Sequence, residues 1–373
     1  MKKIDYPYKR YQITIITTQK EFLFQKSSAN TIDLIKNKLA KTSKSNISCI
    51  HYPEIDGYKA EQLNYAFSIL IKKINNNMDD KAENIFFCSF DADSTIHSKF
   101  LKILSSSIEP GIDIYQQPMI WLRNINKLQK NLSGFLMQGF AINQTFHSLA
   151  YEIPMLNGWL LSWRLKYFLG NGLCIRATLL KNIKGYPPLI EDTRLGRITS
   201  LLKMNVKTIP VFGVVDTAKS LMSLYKQASV WFVGCNLFYN DYLIAKSINE
   251  NIRFYRFFLM MAYGIFKSLR WMNKGLIHIF ALVYYAYLFE YELLLLTTFS
   301  LFINAGLPAM LIMRDSSWLL NKYNIKPVFK RKFLIVLIST VSYIINFVGQ
   351  YLGLFKIIKL SLFKIISLPK TER

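Results

Sequence analysis

Two aspartates separated by one alanine follow an apolar stretch in the first third of the chain. The stretch FFCSFDADST runs from Phe86 to Thr95, and its acids are Asp91 and Asp93. Carboxylates at the carboxyl end of a buried strand can share a divalent cation such as Mg²⁺ or Mn²⁺, which in turn neutralises a diphosphate. Aspartates are also common turn formers, so this pair by itself leaves both interpretations open.

Four other short segments carry residues of types that bind or activate ligands. In chain order they are GYKAEQLNYAF (with Lys59 and Asn64), GNGLCIR (with Gly170 and Asn171), LIEDTRLG (with Glu191 and Asp192) and LYKQASVWFVG (with Gln227 and Trp231). Together with SFDADS, and in this order, they resemble family 2 glycosyltransferases, particularly the membrane-embedded branch that includes cellulose, chitin and hyaluronan synthases. The resemblance extends over the first ~230 residues and continues into apolar helices.

The resemblance implies a donor and metal site in the first part of the chain. Lys59 and Asn64 match the family's K-x-x-x-L-N segment, which lies beside the nucleotide. Asp91 and Asp93 match the D-x-D that holds the metal ion and the diphosphate. A nucleotide sugar as donor and Mg²⁺ or Mn²⁺ as cofactor are therefore implied, with Lys59, Asn64 and Asp91 on the donor.

The resemblance also implies a catalytic base and an acceptor end. Asp192 matches the base of the family's T-E-D, and Glu191 precedes it. The residues assigned to the acceptor end are Gly170, Asn171, Gln227 and Trp231. The implied activity is inverting transfer of a sugar to a lipid-linked or polysaccharide acceptor by a GT-A-like domain.

The chain departs from the family's pattern in three places. Ile190 stands where T-E-D has Thr, and Val230 stands where the usual Q-x-x-R-W has Arg. The opening segment KKIDYPYKRYQITIITT looks like the end of the family's first helix followed by its second strand, so we expect an N-terminally incomplete domain. These departures leave a second hypothesis open, in which the chain is a non-catalytic or truncated paralogue that acts as a scaffold.

Composition favours a membrane protein with basic faces. The chain has 47 Lys and Arg against 23 Asp and Glu, a net charge of +24, yet 51% of its 373 residues are hydrophobic. Such basic faces suit anionic lipid or phosphate-bearing substrates. A soluble nucleic-acid binder is rarely so apolar and no recognition motif appears, so no nucleic-acid partner is expected. The cysteines and histidines lack the spacing of a zinc site or a disulfide framework.

The pattern of residues 1–250 predicts strands that alternate with helices. YQITIITT, NISCIHYP and ENIFFCSF are apolar or β-branched and predict strands, whereas SANTIDLIKNKLAK and KAEQLNYAFSILIKKI predict helices. Apolar strands alternating with helices are typical of a parallel sheet covered on both faces. We therefore predict a Rossmann-type, mostly parallel α/β domain, and the resemblance makes it GT-A-like.

Residues 251–373 have the character of a membrane region. Two apolar runs, Leu293 to Met313 and Phe333 to Phe355, are long enough to cross a bilayer, and Gly275 to Phe289 is a shorter candidate. The aromatic and basic segment from Arg253 to Trp271 suits a helix in the membrane interface. We expect membrane lipids as partners, one interfacial helix and about two to four transmembrane segments.

The distribution of charge predicts the orientation of these segments. The loop from Arg314 to Lys332 is rich in Lys and Arg, whereas the turn that contains Glu290 and Glu292 has neither. The positive-inside rule therefore places the basic loop in the cytoplasm. No apolar core follows the charged N-terminal segment, which predicts no signal peptide and a cytoplasmic α/β domain on an integral, multi-pass membrane protein.

Overall fold

The chain forms an α/β region followed by long apolar helices. The computed structural model describes residues 4–21, 31–40, 46–76, 82–128, 131–158, 165–327, 329 and 331–363. The strands are β1 (Ile13–Thr18), β2 (Ile47–Tyr52), β3 (Phe86–Ser89), β4 (Ile114–Gln116), β5 (Met119–Ile120), β6 (Leu173–Arg176), β7 (Val206–Thr208) and β8 (Gly213–Val214). The helices of the α/β region are α1 (Thr31–Ala40), α2 (Lys59–Asn76), α3 (Phe100–Ser107), α4 (Leu132–His147), α5 (Ile153–Leu156), α6 (Ala177–Asn182), α7 (Glu191–Leu201), α8 (Leu221–Gly234) and α9 (Phe238–Ile248).

The predicted β-α-β start of the chain is confirmed. Strand β1 pairs in parallel with β2, from Ile13 opposite Ile47 to Thr18 opposite Tyr52, and α1 lies between them in sequence. Parallel neighbours need a crossover connection of this kind. This pair forms a two-stranded sheet of its own, and β5 and β8 form a second parallel pair.

The largest sheet is mixed, which corrects the prediction of a mostly parallel one. Its strand order is β3-β6-β4-β7, and β6 runs antiparallel to both β3 and β4, whereas β4 and β7 are parallel. The physical reason lies in the connection before β6, where glycines turn the chain back at the end of β3. As a result, the start of β6 and the end of β3 meet at the same edge of the sheet.

Among the described residues of the C-terminal region, two helical segments are long and apolar enough to cross a membrane. They are Tyr291–Asn321 and Lys332–Lys359. The helices of this region are α10 (Phe254–Tyr287), α11 (Tyr291–Leu301), α12 (Leu307–Asn321), α13 (Lys332–Ile345) and α14 (Phe347–Phe363). A π-helical turn, Phe302–Gly306, joins α11 to α12. Both predicted long runs therefore lie on helices.

The predicted interfacial segment and the shorter apolar run are one continuous helix, α10. The polar residues Asn273 and Lys274 separate the two runs in sequence, but both side chains have partners. Asn273 accepts a hydrogen bond from the Tyr351 hydroxyl at 2.9 Å, and the Lys274 ammonium lies 4.2 Å from the centre of the Tyr343 ring. The helix can therefore continue through Asn273 and Lys274. At 34 residues it is roughly 51 Å long.

The hydrophobic core crosses the boundary between the two regions. Leu122 and Met137 from the α/β region belong to one buried cluster with Ile312 and Ile335 from the apolar helices. Helix α14 packs on α8 through glycines, and a Cβ atom on Gly353 would lie 2.8 Å from the Phe232 Cβ. Such close approach of helix backbones is typical of small residues at membrane helix contacts.

Candidate active site

A glycine-containing loop covers the end of β3. Gly170 and Gly172 both have a φ of +68°, a left-handed conformation that glycine adopts without steric cost. The Gly172 N–H donates to the Ser89 carbonyl at 2.7 Å, and the Ser89 hydroxyl donates to the Gly170 carbonyl at 3.1 Å. The Asn171 side chain accepts from the Asp91 N–H at 3.2 Å. Hydrogen bonds therefore hold the glycine-containing loop against the end of β3 and the D-x-D segment.

Lys59 connects carboxylates from distant parts of the sequence. Its ammonium lies 2.8 Å from Asp91 Oδ1 and 3.3 Å from Glu191 Oε1, and it donates to the Gly170 carbonyl at 3.4 Å. Lys59 begins α2, Asp91 follows β3, and Glu191 begins α7. The predicted donor, metal and catalytic segments thus converge on one cation.

Asp192 is poised to exchange a proton near neutral pH. Burial, and then the neighbouring charge of Glu191, raises its pKa to about 7, against the opposing effect of Lys59. Its Oδ1 accepts from the Thr193 N–H at 2.6 Å, and its Oδ2 faces Gly170, where a Cβ atom would lie only 2.5 Å away. A half-buried carboxyl group with such a pKa suits a general base.

The Lys59 ammonium stays charged in this setting. Burial alone would lower its pKa, but the charges of Glu191, Asp91 and Asp192 together raise it above its ordinary value. The cluster therefore holds one fixed positive charge among three acids. The proton that moves near neutral pH is the one on Asp192.

Asp91 and Asp93 lie in the turn that follows β3, as predicted. The Asp91 carbonyl accepts from the Ser94 N–H at 3.1 Å and from the Ser94 hydroxyl at 2.6 Å, which closes the turn, and both Asp93 carboxylate oxygens are shielded from solvent. Among the described residues, no three His, Cys, Asp or Glu side chains form a ready metal site. Mg²⁺ commonly uses one or two carboxylates and completes its shell with phosphate and water, so these two residues fit such an ion.

The loop before Asp192 has an unusual backbone. Leu189 and Ile190 have φ values of +58° and +54°, which cost roughly 1–2 kcal/mol for each residue that is not glycine. The Ile190 side chain occupies the space beside Gly234, where an added Cβ would lie 2.7 Å from it. The two acids then occupy the first turn of α7, where the helix dipole favours negative charge. The end of α8 thus supports the strained entry into α7.

A buried ion-pair triad anchors the same loop. Arg194 Nε lies 2.6 Å from Asp241 Oδ1, and Arg197 binds the other oxygen of Asp241. Arg194 also donates to the Pro188 carbonyl, and Arg197 donates to the Gly234 carbonyl. All three side chains are nearly inaccessible to solvent, so removing one partner would cost about 3–5 kcal/mol. The triad therefore connects α7, α8 and α9 with the loop that precedes Glu191 and Asp192.

Asn64 makes two hydrogen bonds to the backbone of Tyr186. Its amide donates to the Tyr186 carbonyl at 2.9 Å, and its oxygen accepts from the Tyr186 N–H at 2.6 Å. Gly185 approaches so closely that a Cβ there would lie 2.4 Å from the Asn64 oxygen. In this structure Asn64 therefore holds the segment that leads to Glu191, and its contact with a donor stays a prediction.

Gln227 and Trp231 lie on α8, whose C-terminal end touches Ile190 through Gly234. Gln227 is buried, and Trp231 is half-buried with its ring 6.0 Å from that of Trp121 in an edge-to-face arrangement. The structure thus places this helix next to the loop before Asp192. The carboxylate cluster itself contains neither side chain, so their acceptor role stays a prediction.

Several residues that shape the site were not predicted from the sequence. Ser89, Trp121 and Asp241 had no motif to mark them. Arg194 and Arg197 are three residues apart on a helix that is buried on nearly all sides, and paired arginines in such a helix are a usable signal of a buried acid. The acid itself, 44 residues beyond Arg197, has no such signal.

No protein-family model matches the chain, and no curated protein matches its sequence. The resemblance to family 2 glycosyltransferases therefore rests on the short motifs alone.

Proposed function

We propose that this protein is an integral-membrane, inverting glycosyltransferase that moves a sugar from a nucleotide-sugar donor to a lipid-linked or polysaccharide acceptor. The observation that carries the proposal is Asp192, a carboxyl group with a pKa of about 7 that faces the Gly170 loop beside Lys59 and Asp91. A base that titrates near the working pH balances proton affinity against availability.

The proposed reaction is a single displacement. The acceptor hydroxyl gives its proton to the Asp192 carboxylate while its oxygen bonds to the anomeric carbon of the donor. The bond between that carbon and the diphosphate oxygen breaks, and its electron pair leaves with the nucleoside diphosphate. One displacement inverts the anomeric configuration, and the fixed orientation of Asp192 by the Thr193 N–H favours the attack.

Asp91 and Asp93 would hold Mg²⁺ or Mn²⁺, which neutralises the charge of the diphosphate when it is bound. The Lys59 ammonium orients Asp91 through an ion pair at 2.8 Å. The donor diphosphate therefore belongs at the end of β3, and the acceptor belongs between Asp192 and α8.

The α/β region and the basic loop after α12 belong on the same, cytoplasmic side of the membrane. Asn126 donates to the Lys326 carbonyl at 2.8 Å, and the His97 and Tyr323 rings lie 5.6 Å apart. The loop is thus in contact with the α/β region, and its Lys and Arg residues favour the cytoplasm. The hairpin at Phe289 and Glu290, between α10 and α11, then belongs on the opposite side.

A non-catalytic scaffold is the second candidate. The observation that favours it is that Lys59 already balances Asp91 and Glu191, as a structural ion-pair network would. A scaffold would bind a nucleotide sugar without turning it over, so the two candidates differ in a single measurable step.

The first test is release of nucleoside diphosphate by the protein in a membrane preparation that supplies the acceptor, with a panel of nucleotide sugars as donors. At least one sugar donor is expected to be consumed, at a rate that rises with pH and levels off above about pH 7, because protonated Asp192 cannot accept the acceptor proton.

Replacing Glu191 by Gln removes a charge that raises the pKa of Asp192, so the rising part of the pH–rate profile should move to lower pH. Glu109→Gln, a surface carboxylate paired with Lys207, is the matched control and should leave that part of the profile in place. Donor binding without release at any pH would favour the scaffold.

A second test uses the close approach of Gly170 to Asp192. Gly170→Ala introduces both a left-handed alanine, which costs about 1 kcal/mol or more of stability, and a Cβ atom 2.5 Å from the Asp192 oxygen. Displacing the base by about 1 Å should reduce transfer by roughly 10²-fold. Gly111→Ala is the control, since Gly111 has a φ of +75° and nothing within 4 Å. Similar unfolding temperatures with very different transfer rates are expected, and equal rates in the two variants would contradict the placement of Asp192.

A further inference from the structure

Three cations follow one face of α10 between the α/β region and the apolar helices. Lys267, Arg270 and Lys274 stand at positions i, i+3 and i+7, which share a helix face. We call them the cationic stripe. Within the described part of the chain, none of the three forms an ion pair with an acid. A row of positive charges beside apolar helices is costly, and in membrane proteins such a row commonly marks a functional site.

Aromatic rings, in place of acids, hold the two lysines of the cationic stripe. The Lys267 ammonium lies 4.7 Å from the centre of the Tyr151 ring and 4.8 Å from that of Tyr167, and the Lys274 ammonium lies 4.2 Å from that of Tyr343. Cation–π contacts orient an ammonium group and leave its charge free to attract an anion.

Glu152 and His147 are titratable groups of the α/β region near Lys267. Glu152 is buried, and burial raises its pKa, although its hydrogen bond from the Tyr167 hydroxyl at 3.0 Å opposes the shift. The pKa of His147 is lowered by desolvation and by the charges of Lys267, Lys274 and Arg270, so its ring is neutral at pH 7. The three positive charges therefore act on one common region beside His147.

That region adjoins the helix that carries Asp192. Gly196, one turn beyond Asp192 on α7, lies so close to the Tyr167 backbone that a Cβ there would be 2.4 Å from the Tyr167 Cα. Lys267 rests on the ring of that same tyrosine. The cationic stripe thus reaches from the membrane helices to the neighbourhood of the proposed base.

The other faces of α10 are apolar and open. Phe266, Leu269 and Ile277 are exposed, which suits contact with lipid chains. An anion at the cationic stripe can therefore arrive from the lipid, and basic pockets among membrane helices on the cytoplasmic side commonly bind lipid headgroups.

We propose that Lys267, Arg270 and Lys274 bind the phosphate or diphosphate group of a membrane lipid, and that this lipid carries the acceptor sugar whose hydroxyl faces Asp192. The acceptor role rests on the proposed glycosyltransferase function, whereas the lipid site itself does not. A hydroxyl nucleophile needs a base to accept its proton. In this proposal the cationic stripe therefore binds the phosphate group of the lipid, and Asp192 accepts the proton from the sugar hydroxyl.

The test measures lipid binding in the absence of any donor. Full-length protein in nanodiscs of phosphatidylcholine is titrated with phosphatidic acid, and bound anionic lipid is counted by native mass spectrometry after release from the disc. The triple variant Lys267→Gln, Arg270→Gln, Lys274→Gln should bind it about 10²-fold more weakly, from about five-fold for each cation near the membrane surface. A control with three Gln at Lys322, Lys326 and Lys332 removes the same charge from the basic loop and should keep the affinity.

Further arms separate the possible outcomes. The single variant Lys267→Arg keeps all three positive charges and should bind the lipid as wild type does. It therefore tests the charge requirement even where the triple variant folds poorly. Equal losses in the triple variant and in the basic-loop control would overturn the lipid site. Inorganic pyrophosphate that binds to wild type in neutral discs more tightly than phosphatidic acid does would also overturn it, since the occupant would then be a soluble anion. Nucleotide-sugar turnover is measured separately on the same protein in a membrane preparation, which supplies the acceptor sugar that phosphatidic acid lacks. Lipid binding in the discs without turnover in the membranes would reject the glycosyltransferase and leave the lipid site standing.

Discussion

Asp192→Asn is expected to slow sugar transfer by about 10²- to 10⁴-fold while donor affinity stays unchanged. The amide has nearly the same shape as the carboxyl group but cannot accept the acceptor proton. The pKa of about 7 is a property of the acid that the amide lacks, so the pH dependence of the residual rate should disappear as well. The measurement is donor affinity and transfer rate on wild type and variant in the same membrane preparation.

Asp315→Asn is the matched control for this change. Asp315 is an exposed aspartate that pairs with Arg314 at 2.8 Å, far in sequence from the carboxylate cluster, and the variant should behave as wild type. Equal transfer by wild type and Asp192→Asn would remove Asp192 from the mechanism. Binding of donor with no transfer in either protein would support the scaffold.

Removal of divalent cations is expected to have the second large effect. Wild-type protein in excess chelator should lose transfer by about 10²-fold or more and regain it with Mg²⁺ or Mn²⁺, because the charge of the leaving diphosphate is then uncompensated. Asp93→Ala should reproduce the loss. Unlike Asp192→Asn, it should also weaken donor binding, since the ion is shared between protein and diphosphate.

Stability separates a metal role of Asp93 from a structural one. Alanine at a half-buried acid beyond a strand end should change the unfolding temperature little, whereas Asp241→Ala, which breaks the buried triad, should lower it strongly. Full turnover by wild type in excess chelator would refute the metal requirement.

The short-range parts of the site could be predicted from the sequence. The apolar run of β3 indicated a strand, and Asp91 and Asp93 do follow its end. The helix that begins at Lys59 also follows from its local pattern. Residue type, period and capping preferences are local properties, so they can be recognised without knowing the fold.

The long-range parts could not be predicted in the same way. β6 runs back along β3 from a loop at Gly170 and Gly172 that is hydrogen-bonded to Ser89, a contact between residues about 80 positions apart. The left-handed Leu189 and Ile190 contradict their own conformational preferences, and packing against Gly234 and the arginine triad holds them there. Strain of this kind is set by tertiary contacts, which no local pattern contains.

The hydrophobic cluster shared by the two regions has a consequence for the order in which the protein is made. Leu122 and Met137 are synthesised well before Ile312 and Ile335, which complete the same cluster. Until those later helices emerge from the ribosome, the apolar side chains of Leu122 and Met137 lack the residues that they pack against in the folded protein. The apolar surface of Leu122 and Met137 is therefore fully covered only after the chain has been synthesised as far as Ile335, so the α/β region completes its core late.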